Sequence, residues 1–378
     1  VCSHSPDMTT GLKTPASPGI FAFNPANLAP YLERLYHAPV KVLELAPLGE
    51  PATDGKGYGY GIPLRVLFQV GDHVQSAVLE SVRPGPFGHE HASDRAQALL
   101  WSHDTYGRLP RHVKSIDVGA VRSDGTLMSA GAAGEFFILT EFSPGRPYAD
   151  DLLRLRAGGD LRQADVARAD ALRDYLARIH EKRNREPGLY VRRLRELIGH
   201  GECVMGLTDA YPPDGPIGED LLRAIEERTN AWRWKLKRRT HRLRQVHGDF
   251  HPWNILFREE NDFTVLDRSR GEWGEPADDV ACLTMNYLFF SLQSRGRLAG
   301  GFETLFRRFW DGYLERTGDA EMLEVVAPFF AFRGLVLANP VWYPALEAGV
   351  RRRLVNFVLR VLDESRFDPA LANAYCGV

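Results

Sequence analysis

The sequence predicts an α+β protein, with a small β-rich first part and a larger, mostly helical second part. Three observations point there. Short β-branched or alternating runs, separated by Gly, Pro and Asp, occupy the chain up to residue 142. A connector rich in breakers, Ser143-Pro144-Gly145-Arg146-Pro147, follows. Beyond it, apolar residues recur at helical spacing. The expected organisation is a tail over residues 1–19, a β-rich domain over 20–142 and a helical domain over 143–378.

In the first domain the strand-like runs are residues 40–45, 64–70, 76–82 and 135–142. A helical stretch over 92–103 separates the last two, with Ala96, Leu99 and Leu100 at helical spacing and Ser93 or a residue upstream as its cap. Between the first two runs lies Asp54-Gly55-Lys56-Gly57-Tyr58-Gly59-Tyr60-Gly61, a glycine-rich loop whose backbone N–H groups could approach phosphate oxygens, or simply a flexible connection. In the second domain Asp160 is placed to cap a helix, with Gln163 three residues on. Leu172, Tyr175, Leu176 and Ile179 then share one face. A second face joins Leu221, Leu222, Ile225, Thr229, Trp232 and Leu236. Phe302, Leu305, Phe306, Phe309 and Tyr313 form a third, which Gly318 is placed to end.

The chemistry concentrates in Val246-His247-Gly248-Asp249-Phe250-His251-Pro252-Trp253-Asn254-Ile255-Leu256-Phe257, followed by Phe263-Thr264-Val265-Leu266-Asp267. Residues 255–257 and 263–266 read as a β-hairpin around a polar five-residue loop. If Phe257 faces Phe263, then Ile255 faces Val265, Asn254 faces Leu266, and Asp267 lies one step further. With strands about 4.8 Å apart and a rise of about 3.3 Å per residue, Asn254 and Asp267 can bring their oxygens to one cation. Hard oxygen ligands, with water and phosphates completing the shell, suit Mg2+. Asp249, five residues before Asn254, can face an incoming hydroxyl and accept its proton. Two other readings of the same residues are a buried His-Asp pair beside a hairpin, and an H-x-D-x-H metal cluster of His247, Asp249 and His251.

The pattern His-Gly-Asp-x-His-x-x-Asn, with a strand ending in Asp, resembles the aminoglycoside phosphotransferase and choline kinase family, similar in fold to protein kinases. Gly274-Glu275-Pro276-Ala277-Asp278-Asp279-Val280-Ala281, Leu176-Ala177-Arg178-Ile179-His180 and Phe137-Ile138-Leu139-Thr140-Glu141-Phe142 resemble further family segments. The resemblance implies a bilobal, protein-kinase-like fold and transfer of the ATP (or GTP) γ-phosphate to a small-molecule hydroxyl. It implies Asp249 as catalytic base, Asn254 and Asp267 as Mg2+ ligands, His247 as support of the catalytic loop and Asp279 as its brace. The backbone of Glu141 and Phe142 would bind the base of the nucleotide. The acceptor could be an aminoglycoside-like compound, a sugar, an amino alcohol or another metabolite.

One family position is reversed in charge. Where a Val-Leu-Lys type run normally supplies a cation to the phosphates, this chain has Val78-Leu79-Glu80, and Ala96 stands where the partner glutamate is expected. A carboxylate beside phosphate is repelled. Arg83 or Lys56 could supply the cation instead. Alternatively, Glu80 pairs with Arg95 and backbone amides hold the phosphates, or the protein is a catalytically weak nucleotide-binding regulator.

Composition excludes some classes. In 378 residues, 44% hydrophobic and 25% charged residues with a net charge of −2 describe a globular chain with no global attraction to nucleic acid or anionic membranes. The most apolar stretch, 327–346, is interrupted by Arg333 and by prolines, and residues 1–18 show no signal-type apolar run. Cys2, Cys203, Cys282 and Cys376 form no C-x-x-C pair, which suits free thiols in a reducing compartment. The expectation is a cytoplasmic monomer or homodimer that binds neither nucleic acid nor membrane. The basic run Lys235 to Arg244 reads as a solvated helix end, and residues 339–344 as aromatic core or substrate-pocket lining.

Overall fold

A computed structural model describes residues 22–48, 61–85, 87–108 and 110–378. The expected tail, most of the glycine-rich loop and Lys56 lie outside the described residues. The chain divides after Leu139 into two compact units. Both expected halves of the α+β class are seen: an antiparallel sheet with helices in the first, and a mostly helical second.

The first unit opens with α1 (Pro25–Tyr36), where Asn24 and Asn27 exchange capping bonds and Pro25 begins the first turn. Three antiparallel strands follow: β1 (Val40–Pro47), β2 (Gly61–Val70) and β3 (His73–Val82). Leu28 and Leu32 of α1 meet Val40, Val66 and Phe68 of the sheet in a small core. Ala77 and Leu79 lean on that core, whereas the alternate residues Val78 and Glu80 are exposed, as the period of two requires. Helix α2 (Ala92–Tyr106) buries none of its residues fully. Its cap is His91, with Asp94 accepting from the His91 backbone at 2.7 Å, so the start lies just upstream of Ser93. A short hairpin of β4 (Gly119–Val121) and β5 (Leu127–Ser129) completes the ordered elements.

The strand expected over 135–142 does not form. Phe137, Ile138, Leu139 and Phe142 are about nine-tenths exposed. Among the described residues β4 and β5 pair only with each other, and this run joins neither them nor an edge of the β1–β3 sheet. The Phe136 N–H instead bonds the Glu135 side chain at 2.8 Å, a local contact that competes with strand pairing.

The second unit begins with β6 (Arg146–Pro147) running into α3 (Tyr148–Arg156). Helix α4 (Gln163–His180) starts later than Asp160 predicts. Arg162 is its cap because Asp165 accepts from the Arg162 N–H at 2.7 Å and is itself held by Arg154 at 2.5 Å. Helices α5 (Pro187–Gly199), α6 (Val204–Asp209) and α7 (Glu219–Leu236) follow. On α7 the expected face is buried except Leu221, which is 42% exposed and lies at the edge of the stripe. Next come β7 (Arg244–Gln245), β8 (Ile255–Phe257), β9 (Phe263–Val265) and β10 (Trp273–Gly274), the hairpin of β8 and β9 lying between two halves of a small β ribbon. Helix α8 (Ala277–Arg295) is buried at every residue from Ala277 to Leu292 and is the spine of this unit. Around it lie α9 (Gly300–Thr317), α10 (Met322–Val325), α11 (Ala327–Ala338), α12 (Ala348–Asp363) and α13 (Ala372–Cys376). All five apolar residues expected on α9 are buried, and the helix ends at Gly318 in the left-handed conformation. Each such side chain contributes roughly 1.5–3 kcal/mol relative to exposure, so one face suffices to dock the helix. No helix among the described residues is long and apolar enough to cross a membrane.

A charged cluster ties the start of α10 to the turn that precedes β7. Glu321 accepts from Arg239 (2.7 Å), His241 (2.8 Å) and Arg242 (3.2 Å). Burial raises its carboxyl, but the bonds from His241 and Arg242 outweigh this and bring it down to about 2, from 4.5. A depressed folded value means the contribution is complete above the unfolded value and disappears as pH falls toward 2. Glu321→Gln should therefore destabilise the protein at about pH 6 and converge with the parent near pH 2–3. Denaturant midpoints across that range test this, and a difference independent of pH would remove Glu321 from the acid response.

Candidate active site

β7 pairs with β10, Gln245 opposite Trp273, and delivers the chain to His247. Gly248 follows with φ of 89°, where a side chain would be strained and its Cβ would lie 3.1 Å from that of Arg270. Asp249 and Phe250 lead into a tight 3₁₀ turn over Pro252–Asn254, in which His251 Nδ1 accepts from the Trp253 N–H at 3.2 Å. Ile255 then enters β8. The hairpin has the expected register: Ile255 opposite Val265, Leu256 opposite Thr264 and Phe257 opposite Phe263. The Leu266 N–H bonds the Asn254 carbonyl at 2.8 Å, so Asp267 is one step past Asn254's partner.

Asp267 itself adopts φ of 56°, the left-handed region that Asp tolerates better than most residues. Its Oδ1 accepts from the Ser269 N–H at 3.2 Å, which leaves Oδ2 uncommitted. The Asn254 amide nitrogen donates to the Asp249 carbonyl at 3.1 Å, which turns Asn254 Oδ1 outward as an acceptor. Two hard oxygens are thereby offered without competing side-chain partners, a donor set suited to Mg2+. Among the described residues, no three His, Cys, Asp or Glu side chains are arranged to hold a metal ion, so the H-x-D-x-H cluster is not assembled.

The loop is braced from below by α8. Asp279 is fully buried and accepts from the backbone N–H of His247 at 2.8 Å and of Gly248 at 2.7 Å. His180, the last residue of α4, bonds the same carboxylate at 3.1 Å through Nε2, while its Nδ1 meets the Tyr313 hydroxyl at 2.8 Å. The carboxylate can only accept, so Nε2 donates to it. The His247 ring is buried and receives the Asp249 N–H at 3.3 Å, which shapes the loop from within.

Asp249 has close contacts on both carboxylate oxygens. Oδ1 is 2.5 Å from Arg333 Nη1 and 3.9 Å from the Cys282 sulfur; Oδ2 is 3.8 Å from His251 Nε2. Burial raises its carboxyl, yet Arg333, His251 and Arg270 together lower it below the ordinary range, so it is a carboxylate at neutral pH. Burial lowers His251, against the pull of Asp249, and favours the neutral ring. Arg333 reaches on to Asp278 at 2.6 Å, and Arg193 of α5 closes on Asp278 at 2.8 Å. The sequence motif does not reveal Arg333, Asp278 or Arg193. Arg333 alone had a signal, as an arginine interrupting an apolar stretch, a residue rarely buried without a partner.

The other candidate residues are placed less simply. Glu141 and Phe142 lie on the irregular exposed stretch that opens the second unit. Arg83 follows β3 in the first unit and is exposed, as is Ala96. Glu80 does not pair with Arg95: its carboxylate lies against Gly61, in the space a Cβ there would occupy, and Arg95 donates to the His89 and Glu90 carbonyls.

A braced loop aspartate, beside an asparagine and an aspartate joined by a hairpin, is the arrangement of a phosphotransferase. The sequence matches the phosphotransferase enzyme family, APH, over residues 64–323, more than half of the chain, and the protein belongs to that family. The family is one of phosphotransferase enzymes. No curated protein sequence matches it. Among solved structures it is similar to an amicoumacin kinase in complex with AMP-PNP, Ca2+ and its substrate (15% identity, 86% of this chain and 91% of that one, TM-score 0.40). It is also similar to a thermostable aminoglycoside phosphotransferase mutant in ternary complex with ADP and hygromycin B (13%, 89% and 98%, 0.37). A third is the choline kinase from Cryptosporidium parvum (10%, 89% and 87%, 0.33).

Proposed function

We propose that this protein transfers the γ-phosphate of ATP or GTP, with Mg2+, to a hydroxyl of a small molecule. The observation that carries this reading is the joint placement of Asp249, Asn254 and Asp267. One ionised carboxylate has an oxygen free of strong partners, and two further oxygens lie on the adjoining hairpin. Asn254 Oδ1 and Asp267 Oδ2 would hold the metal. When bound, Mg2+ neutralises charge on the phosphate oxygens as transfer proceeds. Asp249 orients the acceptor hydroxyl in line and takes its proton late in the transfer, as suits a weakly basic carboxylate. His247, through the Asp249 N–H, and Asp279, through two backbone N–H groups, keep the loop in one conformation. The backbone of Glu141 and Phe142 is the proposed contact for the nucleotide base, and Arg83 or Lys56 the proposed phosphate cation. The setting we propose is cytoplasmic, with a small-molecule partner and neither nucleic acid nor membrane.

Glu80 favours one second reading. An exposed carboxylate where the family has a cation would suit a regulator that binds nucleotide without transferring phosphate. Calorimetric titration of wild type and Asp267→Ala with ATP, with and without Mg2+, and release of labelled phosphate separate the two. The transferase reading expects Mg2+-dependent binding and slow turnover in wild type, both lowered at least tenfold in Asp267→Ala. Tight binding with turnover absent across a panel of alcohol acceptors would favour the regulator.

A further inference from the structure

We infer that Arg333 is a positioning residue for transfer: by pinning one oxygen of Asp249 it leaves the other, Oδ2, as the single acceptor for the incoming hydroxyl. The inference rests on the proposed phosphotransfer, in which Asp249 meets that hydroxyl.

Arg333 lies on α11, in the run Ala327-Pro-Phe-Phe-Ala-Phe-Arg-Gly-Leu-Val-Leu-Ala338, where every residue but Val336 is buried. A guanidinium there is expensive unless its donors are used. Three bonds from two of its nitrogens converge on the catalytic loop and its support: Nη1 to Asp249 Oδ1 at 2.5 Å, Nη2 to the Gly248 carbonyl at 2.8 Å, and Nη2 to Asp278 Oδ1 at 2.6 Å. Nε is buried and unpartnered. The fork is therefore aimed at Asp249 and Asp278, rather than arranged to satisfy every donor.

Its support is rigid. The guanidinium lies over the Phe332 ring, 4.4 Å from the centroid. At Gly334 an added Cβ would collide with the Val358 side chain, so the α11 backbone packs directly against a side chain of α12 and has little room to move. Asp278 is held in turn by Arg193, whose other nitrogen bonds the Arg270 carbonyl at 3.0 Å. The result is a row of alternating charges, Asp249, Arg333, Asp278 and Arg193, from α11 through α8 to α5.

The geometry divides the two oxygens of Asp249. Oδ1 is taken by Arg333, with the Cys282 sulfur behind it at 3.9 Å. Oδ2 has only His251 Nε2, at 3.8 Å and beyond hydrogen-bond distance. With one oxygen anchored, rotation of the carboxylate is restrained, so the acceptor hydroxyl meets one oxygen held in a defined position. Misplacement of a reacting group by about 1 Å costs on the order of 100-fold in rate.

The test uses the full-length protein with ATP, Mg2+ and water as the acceptor. Arg333→Lys keeps the charge but has one nitrogen where the arginine fork uses two, so it cannot reproduce the anchor. We expect turnover to fall by about 10- to 100-fold, with Mg2+-ATP affinity within about twofold of wild type. In Arg333→Ala, guanidinium at millimolar concentration should restore part of the turnover, and equal urea or sodium chloride should not. Wild-type turnover in Arg333→Lys overturns the inference alone. So does a fall in nucleotide affinity as large as the fall in turnover, which would mark Arg333 as a general support of the fold. Should Arg333→Ala not fold, Arg333→Lys decides. Absence of Mg2+-dependent turnover in wild type, with water and with the panel of alcohol acceptors alike, would overturn the phosphotransfer reading itself, and this role with it.

Discussion

Asp249→Asn is expected to lower phosphoryl transfer by roughly 10²–10⁴-fold, the range for loss of a positioned general base. The change keeps the volume of the side chain and one acceptor oxygen for Arg333. Arg333 also retains Asp278 and the Gly248 carbonyl, so the loop should stay in place. What is lost is a charged acceptor for the hydroxyl proton. Nucleotide affinity should change little, because the metal would be held by Asn254 and Asp267, neither of which depends on the Asp249 carboxylate. Their contact with it is the Asn254 bond to the Asp249 backbone carbonyl, which the substitution leaves intact. Single-turnover transfer and calorimetric binding check the two halves separately. Turnover within tenfold of wild type would remove Asp249 from the chemistry.

Arg242→Met should destabilise the protein by about 3–5 kcal/mol, the usual consequence of breaking a buried ion pair on one side. Arg242 is 4% exposed and Glu275 fully buried. Two guanidinium nitrogens reach Glu275 at 2.7–3.0 Å, and two reach Asp319 at 2.7 and 2.9 Å. Removing the cation leaves Glu275 in the interior with the Tyr190 hydroxyl at 2.8 Å and a 3.4 Å bond from the Ala277 N–H. Neither supplies charge. Urea unfolding at neutral pH measures the loss, and a value below about 1 kcal/mol would mean that water reaches Glu275 in the variant. Methionine fills the stem of the arginine, so little of the effect should come from a cavity.

Legibility in the sequence followed the range of the interactions involved. The β8–β9 hairpin and its register were readable because both strands and the turn lie within a dozen residues, and a period of two leaves few alternatives. The apolar face of α9 was readable for the same reason. Asp279 could be singled out only through family resemblance, since its partners His180, His247 and Gly248 are far from it in the chain. For the Asp249–Arg333 pair, 84 residues apart, the sequence offered an arginine in an apolar stretch but nothing to say which residue it meets. Local reading failed where a local bond competed with the expected one. Asp165, not Asp160, decided the start of α4, and a Glu135 side chain took the N–H that a strand at Phe136 would have used. Leu221 was assigned to a buried stripe whose edge spacing alone does not mark.

The backbone at Asp267 carries a further consequence. A left-handed residue with a side chain is less comfortable than glycine by roughly 1 kcal/mol. Glycine would hold that bend more easily and would have no carboxylate to offer. A laboratory selection for heat resistance alone would accordingly favour glycine at position 267, and would reject it as soon as turnover counted. Thermal optimisation of this protein thus needs its activity assayed at every round, because one of its most tempting stabilising changes falls on a proposed metal ligand.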